Sequence, residues 1–279
     1  MKIGFTFTNY NNSQFTIDCI KSIHRNLGEG TYKIVVVDNN SNDADKAMLS
    51  GIEPNYEHVK IIFNKENSGY FNGLNIGIDQ LRNSEFAPDY IIIGNNDLVF
   101  EAEFYAQMEA NVSILNSYAV VSPNIITIDG IHQNPHVIKR ISAIREIIYD
   151  LYYSNYYASL AIAYLARLTK RITDRPDELQ HELGQEIYQG YGACYILGPK
   201  FFDKFEQLWA PTFLMGEELF LSLQLKKQGL SIYYEPNITV IHHDHASLDK
   251  LPSKKLWQIS KVSHKEYRKH VKFFNSTNL

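Results

Sequence analysis

Residues 216–247, GEELFLSLQLKKQGLSIYYEPNITVIHHDHAS, gather the chain's most reactive side chains. Glu217 and Glu218 open a helical pattern that stops at Gly229, and His242, His243 and His245 follow about 25 residues later. A carboxylate can take the proton of an attacking hydroxyl. A carboxylate with an imidazole can hold a divalent cation against phosphate oxygens, and imidazole suits Mn²⁺ better than Mg²⁺. Moving a sugar onto a hydroxyl needs both functions, one for the nucleophile and one for the charged leaving group. Far upstream, Asn95-Asn96-Asp97 ends the apolar run DYIIIG and offers a second carboxylate for such a cation. Each feature also has a plainer reading. Two acids at a helix start suit the helix dipole, and three histidines can be a surface cluster.

These residues need elements to position them. Over the first 125 residues strand and helix patterns alternate: KIGFTFT, YKIVVVD, HVKIIFN, DYIIIG and YAVVS read as strands, with helical spacing between them. Such alternation predicts parallel β-α-β units. Polar residues cluster just after strand ends, at Thr8-Asn9-Tyr10, Asp38-Asn39-Asn40, Asn64 to Asn67 and Asn95 to Asp97. Ligands bind at that edge in open α/β sheets. Asn67-Ser68-Gly69-Tyr70 leads into the next helix, where glycines admit a close approach and N-terminal amides suit phosphate. It is neither a Walker A loop nor a dinucleotide fingerprint. Residues 187–197 read as strand-like, PKFFDKFEQL as a helix, SIYYEP and ITVIH as two strands, and Pro252 to Lys272 as a basic amphipathic helix.

Composition narrows the class. Hydrophobic content of 44% and charged content of 21% are globular values. Cys19 and Cys194 have no spacing partner, which excludes a disulfide scaffold and a cysteine zinc site and fits a reducing compartment. The start MKIGFTFTNY lacks signal-peptide features, and Tyr156 to Leu168 is too short to span a bilayer. A cytoplasmic protein is expected. The net charge of −4 is uneven, with residues 136–175 at +4 and 250–272 at +7. An acidic body with two basic segments suggests an anionic surface as partner, or simply solvated helix faces. The basic, Tyr-rich stretch 130–185 could lie on a membrane, or pack on the core or a second subunit as a homo-oligomer. Nucleic-acid binding is not expected.

In order, FTFTNYNN, VVVDNNSND, NKENSGYFNGLNIGI, IIIGNND, YGACYILGPKFFDKF, FLMGEELFLSLQLKKQGLSIYYEP and VIHHDHAS together resemble the family 2 inverting glycosyltransferases. The flavour is that of a rhamnosyltransferase-like branch building bacterial surface polysaccharides such as capsule or O-antigen. The resemblance implies a GT-A fold: an α/β, Rossmann-like, mostly parallel central sheet flanked by helices, with a helical insertion and a C-terminal basic helix. Residues 1–125 would be a nucleotide-sugar-binding half, 126–185 the insertion, 186–249 the acceptor and catalytic half, and 250–279 the tail. Thr8, Asn9, Tyr10, Asp38 and Asn40 would hold the nucleoside of a UDP- or dTDP-linked donor. Asn67, Gly69, Asn75, Asn95 and Asn96 would line the donor site. Asp97, with His242, would bind Mn²⁺ or Mg²⁺ on the diphosphate. Glu218 would be the general base, preceded by Glu217. Tyr191, Gly192, Ala193 and Phe213 would shape the sugar and acceptor pocket for a glycan or lipid-linked glycan. Asn95 stands where the family's D-x-D begins, and Gln224 where an Arg often follows the base. Without a Q-x-x-R-W signature, a single-sugar transferase is expected. The rivals are a sugar nucleotidyltransferase, disfavoured because TFTNYNNSQ has no basic residue, and a non-catalytic nucleotide-sugar-binding subunit.

Overall fold

The strand-forming runs are apolar on consecutive residues because helices cover both faces of the sheet they join. In β2 (Tyr32–Asp38), Ile34 and Val36 enter one core and Val35 and Val37 the other. The computed structural model describes residues 1–28, 31–168, 177–243 and 254–271. Among them β2 lies beside β1 (Ile3–Asn9) and β3 (Val59–Phe63), and β1 beside β4 (Tyr90–Gly94), all parallel. The sheet continues through β8 (Cys194–Leu197), β6 (Val120–Thr127), β9 (Ile232–His242) and β5 (Leu98–Val99), with β7 (Gln185–Ile187) also on β9. Here β8 is antiparallel to both neighbours, while β6 and β9 are parallel. The expected parallel character thus holds for the first four strands, and the second half is mixed.

Helices α1 (Ser13–Asn26) and α3 (Tyr70–Arg82) cross over between parallel strands, with α2 (Asp43–Ser50) between β2 and β3. The helical spacing between DYIIIG and YAVVS breaks at Asn111 into α4 (Phe104–Ala110) and α5 (Val112–Ser117). PKFFDKFEQL forms only the short α8 (Pro199–Phe202). The two runs SIYYEP and ITVIH form one strand, β9, whose ladder with β6 shifts register across Glu235–Thr239. Pro236 lacks a donor, and the irregularity carries it without ending the strand.

The stretch after β6 contains two helices, α6 (Ala143–Ser154) and α7 (Tyr156–Leu168). Helix α6 packs against α10 (Lys254–Tyr267), and α9 (Glu217–Lys226) shares a small core of Phe220, Tyr267 and Val271 with the tail. Lys170, Arg171, Arg175, residues 244–247 with His245, Lys250 and Lys272 lie outside the described residues.

Candidate active site

Strand pairing makes the first constellation. The short β5 runs antiparallel to the end of β9, with Leu98 opposite His242, and His243 N–H donates to Asp97 O at 3.0 Å. This register sets Asp97 Oδ1 3.1 Å from His242 Nε2. His242 Nδ1 lies 2.8 Å from Gln133 Oε1, an acceptor, so the neutral ring that carries its proton on Nδ1 bonds there and keeps a lone pair on Nε2. Asn95 Nδ2 approaches the same Nε2 at 3.4 Å. Asp97 Oδ1 is buried and has no hydrogen-bond partner. Two lone-pair atoms facing each other at that distance repel unless a cation or proton lies with them. The donor set, one carboxylate oxygen and one imidazole nitrogen, fits Mn²⁺ or Mg²⁺ that takes its remaining ligands from phosphate and water. Among the described residues no group of three His, Cys, Asp or Glu side chains could hold a metal alone.

The segment Tyr191-Gly192-Ala193 connects this pair to the acids. Ala193 O accepts from Asn95 N–H at 2.9 Å. The Tyr191 ring lies 6.1 Å from the His242 ring. Gly192 O accepts from Tyr70 Oη at 3.2 Å, and Gly192 N–H donates to the Glu218 carboxylate. A Cβ on Gly192 would stand 2.4 Å from Glu218 Oε1. The glycine is therefore required for Glu218 to sit where it does.

Glu217 and Glu218 start α9 behind two consecutive left-handed residues, Met215 with φ of 76° and Gly216 with φ of 82°. Such a conformation costs energy for methionine. Glu217 Oε1 accepts from Met215 N–H at 2.9 Å and helps hold it. Burial and the neighbouring Glu218 push the Glu217 carboxyl up to about 7. Burial also raises the Glu218 carboxyl, opposed by the backbone N–H groups of Glu218 and Gly192. A carboxylate raised toward neutrality is matched to proton abstraction near pH 7.

Glu218 opens on a cavity of about 720 Å³, a size ordinary for small-ligand sites. Its walls come from α9, from α6 through Arg145, Tyr149 and Tyr153, from α10 through His264, and from His136 beside Tyr191. Sequence reading missed these wall residues. Their only signal was a basic tail and a Tyr-rich insertion, which the structure brings together. Tyr267 Oη donates to Glu146 Oε1 at 2.7 Å, Arg268 bridges Glu146 and Asp150, and His264 Nε2 lies 2.7 Å from Asp150 Oδ1.

At the sheet edge the structure divides the expected donor residues. Asn9, Asp38 and Asn96 are buried and tied to one another, so they lie beneath the edge instead of facing a ligand. Asn9 Nδ2 donates to Asp38 Oδ1 at 2.8 Å, Ser41 N–H to Asp38 Oδ2 at 3.0 Å, and Asn96 Nδ2 to Thr16 Oγ1 at 2.7 Å. Buried polar groups must be satisfied, and here they satisfy each other while pinning three loops. Asn75 does not line an opening either. Its amide clasps the backbone of Leu208 at both ends, at 2.9 and 2.8 Å. Gln224 holds Trp209 N–H and Gln207 O the same way. Tyr10 and Asn40 remain at the surface, Thr8 and Asn67 partly so. The first amides of α3 are already taken, Gly69 N–H by Asn67 Oδ1 and Tyr70 N–H by Phe213 O. Gly69 is required there, since φ is +89° and a Cβ would meet Phe213 O. Phe213 thus acts through its carbonyl, its ring remaining exposed. Asn39, unassigned by sequence, links the ends of β2 and β3 to α3 through Asn64, Ser68 and Gly69.

Residues 7–168 match the family Glycosyl transferase family 2. A comparison with curated proteins gives no match. Among solved structures, GalNAc-T7 with UDP, GalNAc and Mn²⁺ superposes with a TM-score of 0.56 at 13% identity, over 87% of this chain and 44% of that one. TarS residues 1–349 from S. aureus superposes with a TM-score of 0.53 at 14% identity, over 87% and 60%. The mannosyltransferase PcManGT from Pyrobaculum calidifontis, with GDP-Man and Mn²⁺, gives 0.55 at 11% identity, over 95% and 61%. The chain therefore spans 44% to 61% of the length of these proteins. The likenesses are of fold, a mixed α/β sheet flanked by helices as in GT-A glycosyltransferases. With the family match covering more than half of its residues, the chain belongs to glycosyl transferase family 2.

Proposed function

We propose that this protein moves one sugar from a nucleoside-diphosphate sugar to a hydroxyl of a glycan acceptor, with inversion at the anomeric carbon. The observation that carries this reading is the segment Tyr191–Ala193, which touches the Asp97–His242 pair on one side and Glu218 on the other. The acceptor hydroxyl would lie in the cavity against Glu218. Glu218 takes its proton as the oxygen attacks the anomeric carbon. The bond from that carbon to the diphosphate oxygen breaks, and the nucleoside diphosphate departs. Asp97 and His242 would hold Mn²⁺ or Mg²⁺, which when bound offsets the charge growing on the departing diphosphate. Thr8, Tyr10, Asn40 and Asn67 would meet the nucleoside at the sheet edge, over the loops that Asn9, Asp38 and Asn96 keep in place.

Solved neighbours carrying UDP or GDP-Man with Mn²⁺ support a nucleotide-sugar donor and a divalent cation. For the finer assignment we propose a UDP- or dTDP-linked donor, a lipid-linked glycan acceptor, and a place in a rhamnosyltransferase-like branch making capsule or O-antigen polysaccharide. Tyr149, Tyr153 and His136 give the cavity aromatic surfaces suited to sugar rings. Glu218→Gln tests the base. Turnover should fall roughly 10²–10⁴-fold with donor binding retained. Turnover at the wild-type rate would contradict the assignment.

A further inference from the structure

Helix α6 is amphipathic in the inverted sense. Its polar side faces inward: Glu146 and Asp150 meet Tyr267, Arg268 and His264 of the tail. Its apolar side faces out. Ile144, Ile147 and Leu151 recur at helical spacing and are 72%, 57% and 55% exposed. Helix α7, packed against α6, adds exposed Tyr157, Tyr164 and Leu168 at 76%, 62% and 67%. Residues 164–168 are exposed at five consecutive positions, and all of them but Arg167 are apolar. A helix of that composition is normally buried. An exposed apolar area this continuous marks an interaction surface.

Charge selects the occupant. Glu146 and Asp150 are the only acids from 143 to 168, and both are directed toward the tail. The outward face thus carries no carboxylate, and Arg167, in the exposed run 164–168, puts a positive charge at its edge. A second copy would bring a net acidic chain and one flat face, but the exposure of α7 at every position from 164 to 168 matches a fluid medium better than a flat one. Tyrosines at positions 157 and 164 suit the boundary between headgroups and acyl chains. No described helix is long and apolar enough to cross a bilayer.

We infer that the outward face of the α6–α7 pair docks this protein onto an anionic lipid bilayer, lying in the interface without spanning it. The docking face and the Glu218 cavity share α6, whose Tyr149 and Tyr153 line the cavity, so the docked enzyme would hold its cavity beside the lipid surface.

Co-sedimentation with vesicles of phosphatidylglycerol and phosphatidylethanolamine tests this without any sugar donor, so its failure is separate from failure of the transfer reading. The wild-type chain should pellet with vesicles, and less so as salt rises. The double variants Ile147→Asp/Leu151→Asp and Tyr157→Asp/Leu168→Asp should each weaken partition on the order of tenfold or more. All four side chains are exposed, so both variants should keep the wild-type melting temperature and circular dichroism. Absence of wild-type pelleting, or equal pelleting by both variants, overturns the proposal. So does a wild-type dimer that these substitutions convert to monomer while vesicles bind nothing.

Discussion

Glu218 and Glu217 are adjacent in sequence but differ in what surrounds them. Glu218 faces the cavity and Gly192, whereas Glu217 is turned toward Met215. Glu217 is held above its ordinary range by burial and by Glu218, so the folded state binds its proton more tightly than the unfolded chain does. The penalty for ionising it is absent below the unfolded value, grows as pH rises, and is complete above about 7. Thermal melts of Glu217→Gln should therefore show added stability of about 2 kcal/mol at pH 8, vanishing toward pH 4. A variant equally displaced at both pH values would refute that origin. Gly192→Ala is a second prediction. Its methyl would meet the flexible end of Glu218 and not backbone, so stability should change by less than about 1 kcal/mol. If Glu218 is the base we propose, its displacement should lower turnover by about a hundredfold, a split that kinetics beside thermal melts would reveal. The identity of such residues was legible in the sequence, but their direction was not. A polar side chain at a strand end can face ligand or loop, and Asp38, Asn9 and Asn96 chose the loops because together they satisfy one another.

Among the elements, the first four strands and α1 to α3 follow the alternation of apolar runs and turn residues, which is a local signal. Less legible were β9, interrupted by Pro236, and the assembly of α6 with α10. Periodicity shows that a helix has an apolar face but not what covers it. For α6 the inward face is the charged one, because Arg268 and Tyr267 arrive from more than 110 residues away. Glu146 is buried, and removing its cation leaves a charge poorly compensated. Arg268→Ala should destabilise the fold by about 2 kcal/mol in denaturant melts. Because α10 walls the cavity, acceptor KM should rise more than donor KM. An unchanged melt would mean the tail is held by Trp257 and Phe220 contacts alone.

For the whole molecule, the fold places chemistry where two halves of one sheet meet. The parallel half supplies the polar strand ends. The mixed half supplies His242 from β9 and, through the Tyr191–Ala193 segment, the wall that Glu218 rests on. Of the described residues in the two basic segments, Arg268 and His264 turn inward to Glu146 and Asp150, Lys254, Lys255, Lys265 and Lys269 stay exposed, and α6 turns an apolar face outward. We propose a nucleotide-sugar site completed by a cation between Asp97 and His242. The most direct test is thermal stabilisation of the wild-type chain and Asp97→Ala by UDP-, dTDP- and GDP-linked sugars, with and without Mn²⁺. One donor class should give a shift that requires Mn²⁺ and disappears in Asp97→Ala. No shift with any donor, or a shift independent of both Mn²⁺ and Asp97, would contradict it.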